Sequence, residues 1–458
     1  MSEHDITAPT TGNKSTPTET EVPESQRAPR WSLTMAWWAM FSAMFWLYIA
    51  SASSDAVGVP NTLIGMTLTI ATYGIVNRIL SRYAARTGLS VESFSRRMFG
   101  PIGSILAPLV FAATALYYGV FEGSIVAVAL QDYFGGDLRI WYLVCVIYMI
   151  PLVLGGVATW LDKINGILLP FYVIGLVGVI AAATVKQGYP HQWLDSVPTT
   201  GPLPGWLTSY LIYMGVWVMM MYTFDYARLA KPRDSAFHGT VTFGWVFYLF
   251  TFGVNGLIGI YILECWGIAG SESGVVQAII NSLGVAGVVL ILISQTRINT
   301  ANYYLASSNL QVLADRTLRI TSPRAVWVLV AGILAYLFML TDVLSYLLKA
   351  LAWQGVLVTA WVAIALVHIA MHRRDRAASA RNVAGAGAMA WLLASAIGIA
   401  ATVQTTYAEL AQLAPIITVA FAASLYWLSC SRMVRTPISR QGRKDDRVKP
   451  SPEEAQTV

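Results

Sequence analysis

The chain has 458 residues, of which 56% are apolar or aromatic and 12% charged. A soluble globule carries about 25% charged residues, and half that share cannot cover the surface of a water-soluble protein of this length. The composition describes an all-α polytopic membrane protein with about twelve spans of roughly 20 residues each. The apolar–polar alternation of a membrane β-barrel is absent, and no large extramembrane domain is left over.

Residues 1–30 are rich in Thr, Ser, Pro and Glu, which predicts a disordered tail. No apolar run with a small-residue cleavage site precedes the first span, so no cleaved leader is expected. A transmembrane domain follows over 31–432, then a basic tail over 433–458. Apolar stretches lie at 33–54, 59–80, 104–131, 138–158, 166–185, 205–224, 237–263, 284–310, 325–341, 343–370, 384–403 and 407–430. Gly274–Leu283 reads as a short helix lying at the outer surface before the eighth span. The turn near Thr341–Asp342 is the tightest separation between spans.

Charge alternates with this count. With the N-terminus inside, the inner segments hold every Lys and Arg except Arg139 and Lys186 outside and Arg297 and Lys349 within spans. One missed span would invert each later loop, so both termini are placed in the cytoplasm. The net charge of +6 therefore describes a membrane protein's inner face and points to no nucleic-acid partner. Cys145, Cys265 and Cys430 are isolated, with neither metal nor disulfide spacing.

Polar side chains within spans are costly and mark a pathway by default. Span eight carries the densest run, Ser294 to Tyr304, with Arg297 near the predicted midplane. A polar seam between helices would account for such a run without any ligand. Span three carries Glu122, and a lone carboxylate and a lone guanidinium in different spans predict a pair in at least one conformation. Asp55, Asp342 and Lys349 lie near span ends, where they reach water.

Trp37, Phe41, Trp46, Tyr117, Trp217 and Tyr222 lie on the polar-lined spans. With the amides of Gln295, Asn299 and Asn302 they suit a flat, polar, uncharged ring, which rings stack on and amides hydrogen-bond. Span one has small and polar residues mid-span, Phe41-Ser42-Ala43-Met44, and span six has Gly215. Broken helices at corresponding places in two halves are the sequence pointer to an inverted-repeat transporter.

Several segments resemble the nucleobase:cation symporter-1 family, which includes cytosine, purine, allantoin and hydantoin permeases. They are Ala85-Arg86-Thr87-Gly88-Leu89-Ser90 followed by Ser95-Arg96-Arg97-Met98-Phe99-Gly100 and Gly103-Ser104. Phe41 to Trp46, Asp225-Tyr226-Ala227-Arg228, and Asn302-x-Tyr304 with Ala306-Ser307 match in order. The resemblance implies two inverted five-helix repeats, about 33–186 and 205–370, with extra helices at about 384–430 and discontinuous spans one and six. It implies a substrate site among spans one, three, six and eight. There Phe41, Ser42, Tyr117, Phe121, Glu122, Trp217, Gln295, Asn299 and Asn302 are the candidate ligand contacts. Tyr117 stands where a stacking Trp is usual, Phe121 near a customary amide, and Trp217 within a residue of the span-six aromatic. Sodium-coupled members are expected to place small hydroxyls of span eight against span-one carbonyls. Here Thr296 remains and Arg297 stands beside it, so Thr296, Arg297 and Glu122 are the candidate coupling residues. A fixed guanidinium would exclude sodium by repulsion, leaving Glu122 to carry a proton.

The expected function is alternating-access import of a small nitrogenous heterocycle at the cell membrane, by a monomer without cofactor or enzymatic activity. A facilitator-superfamily transporter is the rival by topology, but 77–104 lacks the Asp of its usual loop motif. A membrane-embedded enzyme would need clustered aspartates or histidines, and His4, His191, His238, His368 and His372 are scattered. No Walker motif is present for transport driven by ATP.

Overall fold

The computed structural model describes residues 21–154, 162–195, 201–341, 347–371, 380–404 and 406–435. Apolar runs separated by Gly, Pro and charged turns form α1 (Arg30–Trp37), α2 (Phe45–Val57), α3 (Val59–Thr87), α4 (Val91–Phe134), α5 (Leu138–Leu154) and α6 (Asp162–Gln187). There follow α7 (Gly205–Met214), α8 (Val218–Ala227), α9 (Pro232–Trp266), α10 (Glu272–Leu283), α11 (Val285–Leu318) and α12 (Arg324–Met339). Last come α13 (Leu347–Met371), α14 (Ala380–Val403) and α15 (Ala408–Arg435). Among the described residues no strand forms; one isolated bridge pairs Ala28 with Ala230.

Within the described residues each predicted apolar stretch falls on one of these helices or on a bent pair. Among the described residues seven helices are long and apolar enough to cross a membrane, or nine when each bent pair is one span. The apolar α5 and α12 are shorter. The lengthy α11 carries the polar run and continues through it to Leu318. Ile75, Ile147, Ile174 and Ile333 are each more than half exposed, as helices facing lipid require. The chain is a multi-pass membrane protein.

Both predicted breaks are present. α1 and α2 meet at 43° across a 3-10 turn at Met40–Ser42, and α7 and α8 meet at 44° across Gly215. At the first break Ser42 Oγ donates to the Ala39 carbonyl at 2.7 Å, a local bond that competes with the helical ladder. At the second, Tyr73 Oη of α3 donates to the Tyr213 carbonyl at 2.6 Å, taking an acceptor at the end of α7. Where α9 crosses α2 the backbones nearly touch: a Cβ on Gly259 would lie 2.2 Å from the Leu47 carbonyl oxygen. Gly259→Ala is expected to destabilise the protein by about 1–3 kcal/mol through overpacking, read as a lower unfolding midpoint in detergent.

The short helix expected before span eight is α10. Its approach is tied to α2, with the Gly270 amide donating to Asp55 Oδ2 at 2.6 Å. Asp55 is exposed, in keeping with an interfacial place. Asp342 lies outside the described residues, as does the side chain of Lys349. Glu272, at the start of α10, faces Tyr48 of α2; burial raises its carboxyl above the ordinary range, against hydrogen bonds from its own backbone and the Tyr48 hydroxyl.

The N-terminal segment corrects the sequence expectation. Residues 1–20 lie outside the described residues, but the part of the tail from Glu21 onward is a packed strap. The Val22 amide donates to the Gly88 carbonyl at 3.1 Å and the Ala28 amide to Leu229 at 2.9 Å. The Arg27 guanidinium reaches the carbonyls of Ala85 and Ala230. Arg30 pairs with Asp234 at 2.5 Å and stands over the Phe237 ring. Composition missed the strap because polar side chains and main-chain bonds hold it, with little apolar burial of its own. Arg27→Ala is expected to release it, measured as protease cleavage between residues 21 and 30 at doses that leave the parent chain intact.

Candidate substrate cavity

The two breaks face each other beside α4 and α11. Between them lies a small cavity of about 20 Å³, lined by Met40, Ala43, Phe45 and Trp46 from the first break and by Val216, Val218, Met219 and Tyr222 from the second. Tyr118 and Glu122 of α4 and Ile298 and Asn302 of α11 complete the wall. That is room for about one water molecule, so the wall must open before a ring can enter. Spans one, three, six and eight all contribute, and among the described residues Glu122 is the one charged side chain on the wall.

Glu122 is buried, and its Oε2 accepts a hydrogen bond from Gln295 Nε2. The Gln295 carbonyl in turn accepts from the Met44 amide at 3.4 Å. Asn302 Nδ2 donates to Asn299 Oδ1 at 3.3 Å, and Asn299 Nδ2 donates to the Gly119 carbonyl at 3.2 Å. Gln295 and Asn299 are thus one bond behind the wall, orienting Glu122 and Asn302. Tyr222 is buried on the wall, and its hydroxyl has no hydrogen-bond partner among the described residues.

Other sequence candidates sit elsewhere. On α4 the predicted Glu122 lines the wall with Tyr118, while Tyr117 stands outside and Phe121 packs edge-on against Phe45. Tyr118 was missed, although four-residue spacing from Glu122 places the two on one helix face. Phe41 is directed away, edge-on to Tyr172 and Phe250. Trp217 packs edge-on against Tyr73 behind the second break, and the aromatic on the wall is Tyr222. Ser42 serves the break itself: its hydroxyl is given to the Ala39 carbonyl, and its own carbonyl accepts from Ser294 Oγ.

Arg297 is fully buried and donates through one terminal nitrogen to the Trp38 carbonyl at 3.0 Å. Its Nε and other terminal nitrogen have no partner among the described residues. Glu122 and Arg297 form no ion pair in this conformation; each is held by a different partner. Thr296 faces α5, its hydroxyl donating to Tyr148 Oη at 3.3 Å, and so turns away from the span-one carbonyls. Those carbonyls are engaged by side chains. Trp38 is taken by Arg297, Met40 by Trp46 Nε1 at 2.6 Å, Phe41 by Asn255 Nδ2 at 2.6 Å and Ser42 by Ser294.

No family profile and no curated protein matches the chain. Solved structures do. Mhp1, a nucleobase-cation-symport-1 family transporter, in a closed conformation with bromovinylhydantoin bound, superposes with a TM-score of 0.69 at 15% identity, covering 92% of this chain and 96% of that one. Its inward-facing conformation gives 0.70 at 16% identity, over 92% and 94%. A Na+-coupled sialic acid symporter in a substrate-bound outward-open state gives 0.57 at 14%, over 89% and 90%. Across nearly its whole length, then, the chain has the fold of Mhp1, a solved transporter of the family that its loop motif resembles.

Proposed function

We propose that the protein is a secondary transporter that imports a small nitrogenous heterocycle (a nucleobase, allantoin or a hydantoin) across the cell membrane. It works by alternating access, as a monomer with both termini in the cytoplasm. In this reading residues 33–186 and 205–370 are the inverted repeats, and their first helices break at corresponding points to wall the substrate. The observation that carries it is the cavity between the two breaks, with aromatic rings, one carboxyl and one amide on its wall. Ring faces suit a planar ligand, and a few polar groups fix its orientation. Mhp1, whose fold this chain shares, is solved with bromovinylhydantoin bound.

Coupling follows from the first break. Unwound backbone is where such folds hold a cation. Here side chains engage four of its carbonyls and a guanidinium lies against one of them. A second cation beside Arg297 would be repelled in a low-dielectric site. Sodium is therefore excluded and the proton is the coupling ion, carried by Glu122 on the cavity wall. In proteoliposomes, uptake of the ligand that most stabilises the purified protein is expected to be unchanged when sodium is replaced by choline and to collapse when the proton gradient is dissipated. Uptake that needs sodium and ignores the proton gradient would overturn the coupling scheme.

A further inference from the structure

A second cleft lies where the strap enters α1, about 15 Å along the first span from Met40 on the cavity wall. It is open, has a volume of about 530 Å³ and is lined by Pro29, Arg30, Trp31, Lys231, Arg233 and Asp234. We propose that it seats the headgroup of an anionic glycerophospholipid. The phosphate sits on the basic side chains, and the glycerol and acyl chains run along the exposed rings beside them.

Charge is the first reason. Three cations against one carboxylate leave the cleft with two positive charges in excess. The carboxylate is already engaged: Asp234 is buried, with Arg30 on its Oδ1 at 2.5 Å and Arg233 Nε 4.0 Å from its Oδ2. Lys231 forms no ion pair among the described residues, and the Arg233 side chain is 76% exposed. Arg78 and Arg82 of α3 strengthen the same field, since their side chains flank Gly239, five residues beyond Asp234. A phosphodiester spreads one negative charge over two oxygens, which accept charge-assisted hydrogen bonds from Lys and Arg.

The second reason is the ring beside those charges, which favours a lipid over a soluble phosphate. Trp31 is 63% exposed and packs edge-on against Phe237, whose face also takes the Arg30 guanidinium. An exposed indole next to basic side chains at the end of a span suits the headgroup layer of a membrane. Further along α9, Trp245 and Leu249 are also exposed, so the helix continues from the cleft as a surface for acyl chains. A free phosphate would leave that apolar flank unused.

The cleft also joins two elements. Arg30 and Trp31 open α1, Lys231 immediately precedes α9, and deeper in the bundle Thr34 Oγ1 of α1 meets Thr242 Oγ1 of α9 at 2.8 Å. A headgroup held from both sides bridges α1 to α9 and stabilises the folded protein by mass action.

The test is thermal unfolding of the purified full-length protein in neutral detergent, titrated with phosphatidylglycerol, phosphatidylcholine or inorganic phosphate at constant ionic strength. Phosphatidylglycerol is expected to raise the midpoint saturably, and the other two to leave it unchanged. Lys231→Gln combined with Arg233→Gln is expected to shift the phosphatidylglycerol response to about tenfold higher lipid concentration. Equal midpoints with the two lipids overturn the proposal, as does a response that the double variant keeps. A rise with inorganic phosphate equal to that with phosphatidylglycerol assigns the cleft to a soluble anion and overturns the lipid. If the double variant does not fold, a photoactivatable phosphatidylglycerol on the parent protein decides. Labelling within 29–37 or 231–237 supports the site, and labelling confined to other segments overturns it. None of these readouts involves the transported solute, so they stand whatever the cavity binds.

Discussion

Arg297→Met is expected to lower uptake by about a hundredfold while leaving the fold as stable as before or more so. The guanidinium is fully buried with two of its three nitrogens lacking partners among the described residues. Each buried donor without a partner costs about 1–3 kcal/mol. The Trp38 carbonyl that Arg297 engages also accepts from the Phe41 amide at 3.3 Å, so it is not orphaned by the change. A methionine of similar volume should thus be neutral or stabilising by about 1–4 kcal/mol, as when other buried charged groups are replaced by apolar ones. Transport is another matter. The guanidinium links α11 to the broken first span, and a contact worth about 3 kcal/mol corresponds to that hundredfold. Unfolding midpoints and initial uptake rates on the same preparations separate the two effects. A variant that loses both in parallel would show Arg297 to be a packing element and no more.

Glu122→Gln is expected to abolish accumulation against a gradient while sparing exchange. The amide still accepts from Gln295 and still lines the cavity, so labelled substrate should equilibrate with unlabelled substrate across the membrane. It carries no titratable proton, so a pH gradient no longer drives net uptake. Counterflow and gradient-driven uptake in the same proteoliposomes read the two separately. Accumulation at the parent level would place the coupling proton on another group.

Much of the architecture was legible because lipid imposes a simple rule on the chain. Apolar length sets the spans, and the distribution of Lys and Arg orders the loops, so segment positions follow from composition along the sequence. The breaks were legible for the same reason: Ser42 and Gly215 are small or polar residues in the middle of apolar runs. The strap from Glu21 to Pro29 was not, since Arg27 holds it by reaching carbonyls of Ala85 and Ala230, partners distant in the chain.

The candidate site divides along the same line. Sequence by itself determined that a carboxyl, a guanidinium and several amides lie within spans three and eight, because such groups stand out against apolar neighbours. Tertiary structure alone decided which of them meet. Rotation of α4 about its axis put Tyr118 on the wall beside Glu122 and left Tyr117 and Phe121 off it, since one residue turns a helix by about 100°. The same geometry gave Glu122 to Gln295, Arg297 to the Trp38 carbonyl and Thr296 to Tyr148. Helix content is a local property of the chain; helix rotation is set by packing against neighbours that the local sequence does not contain.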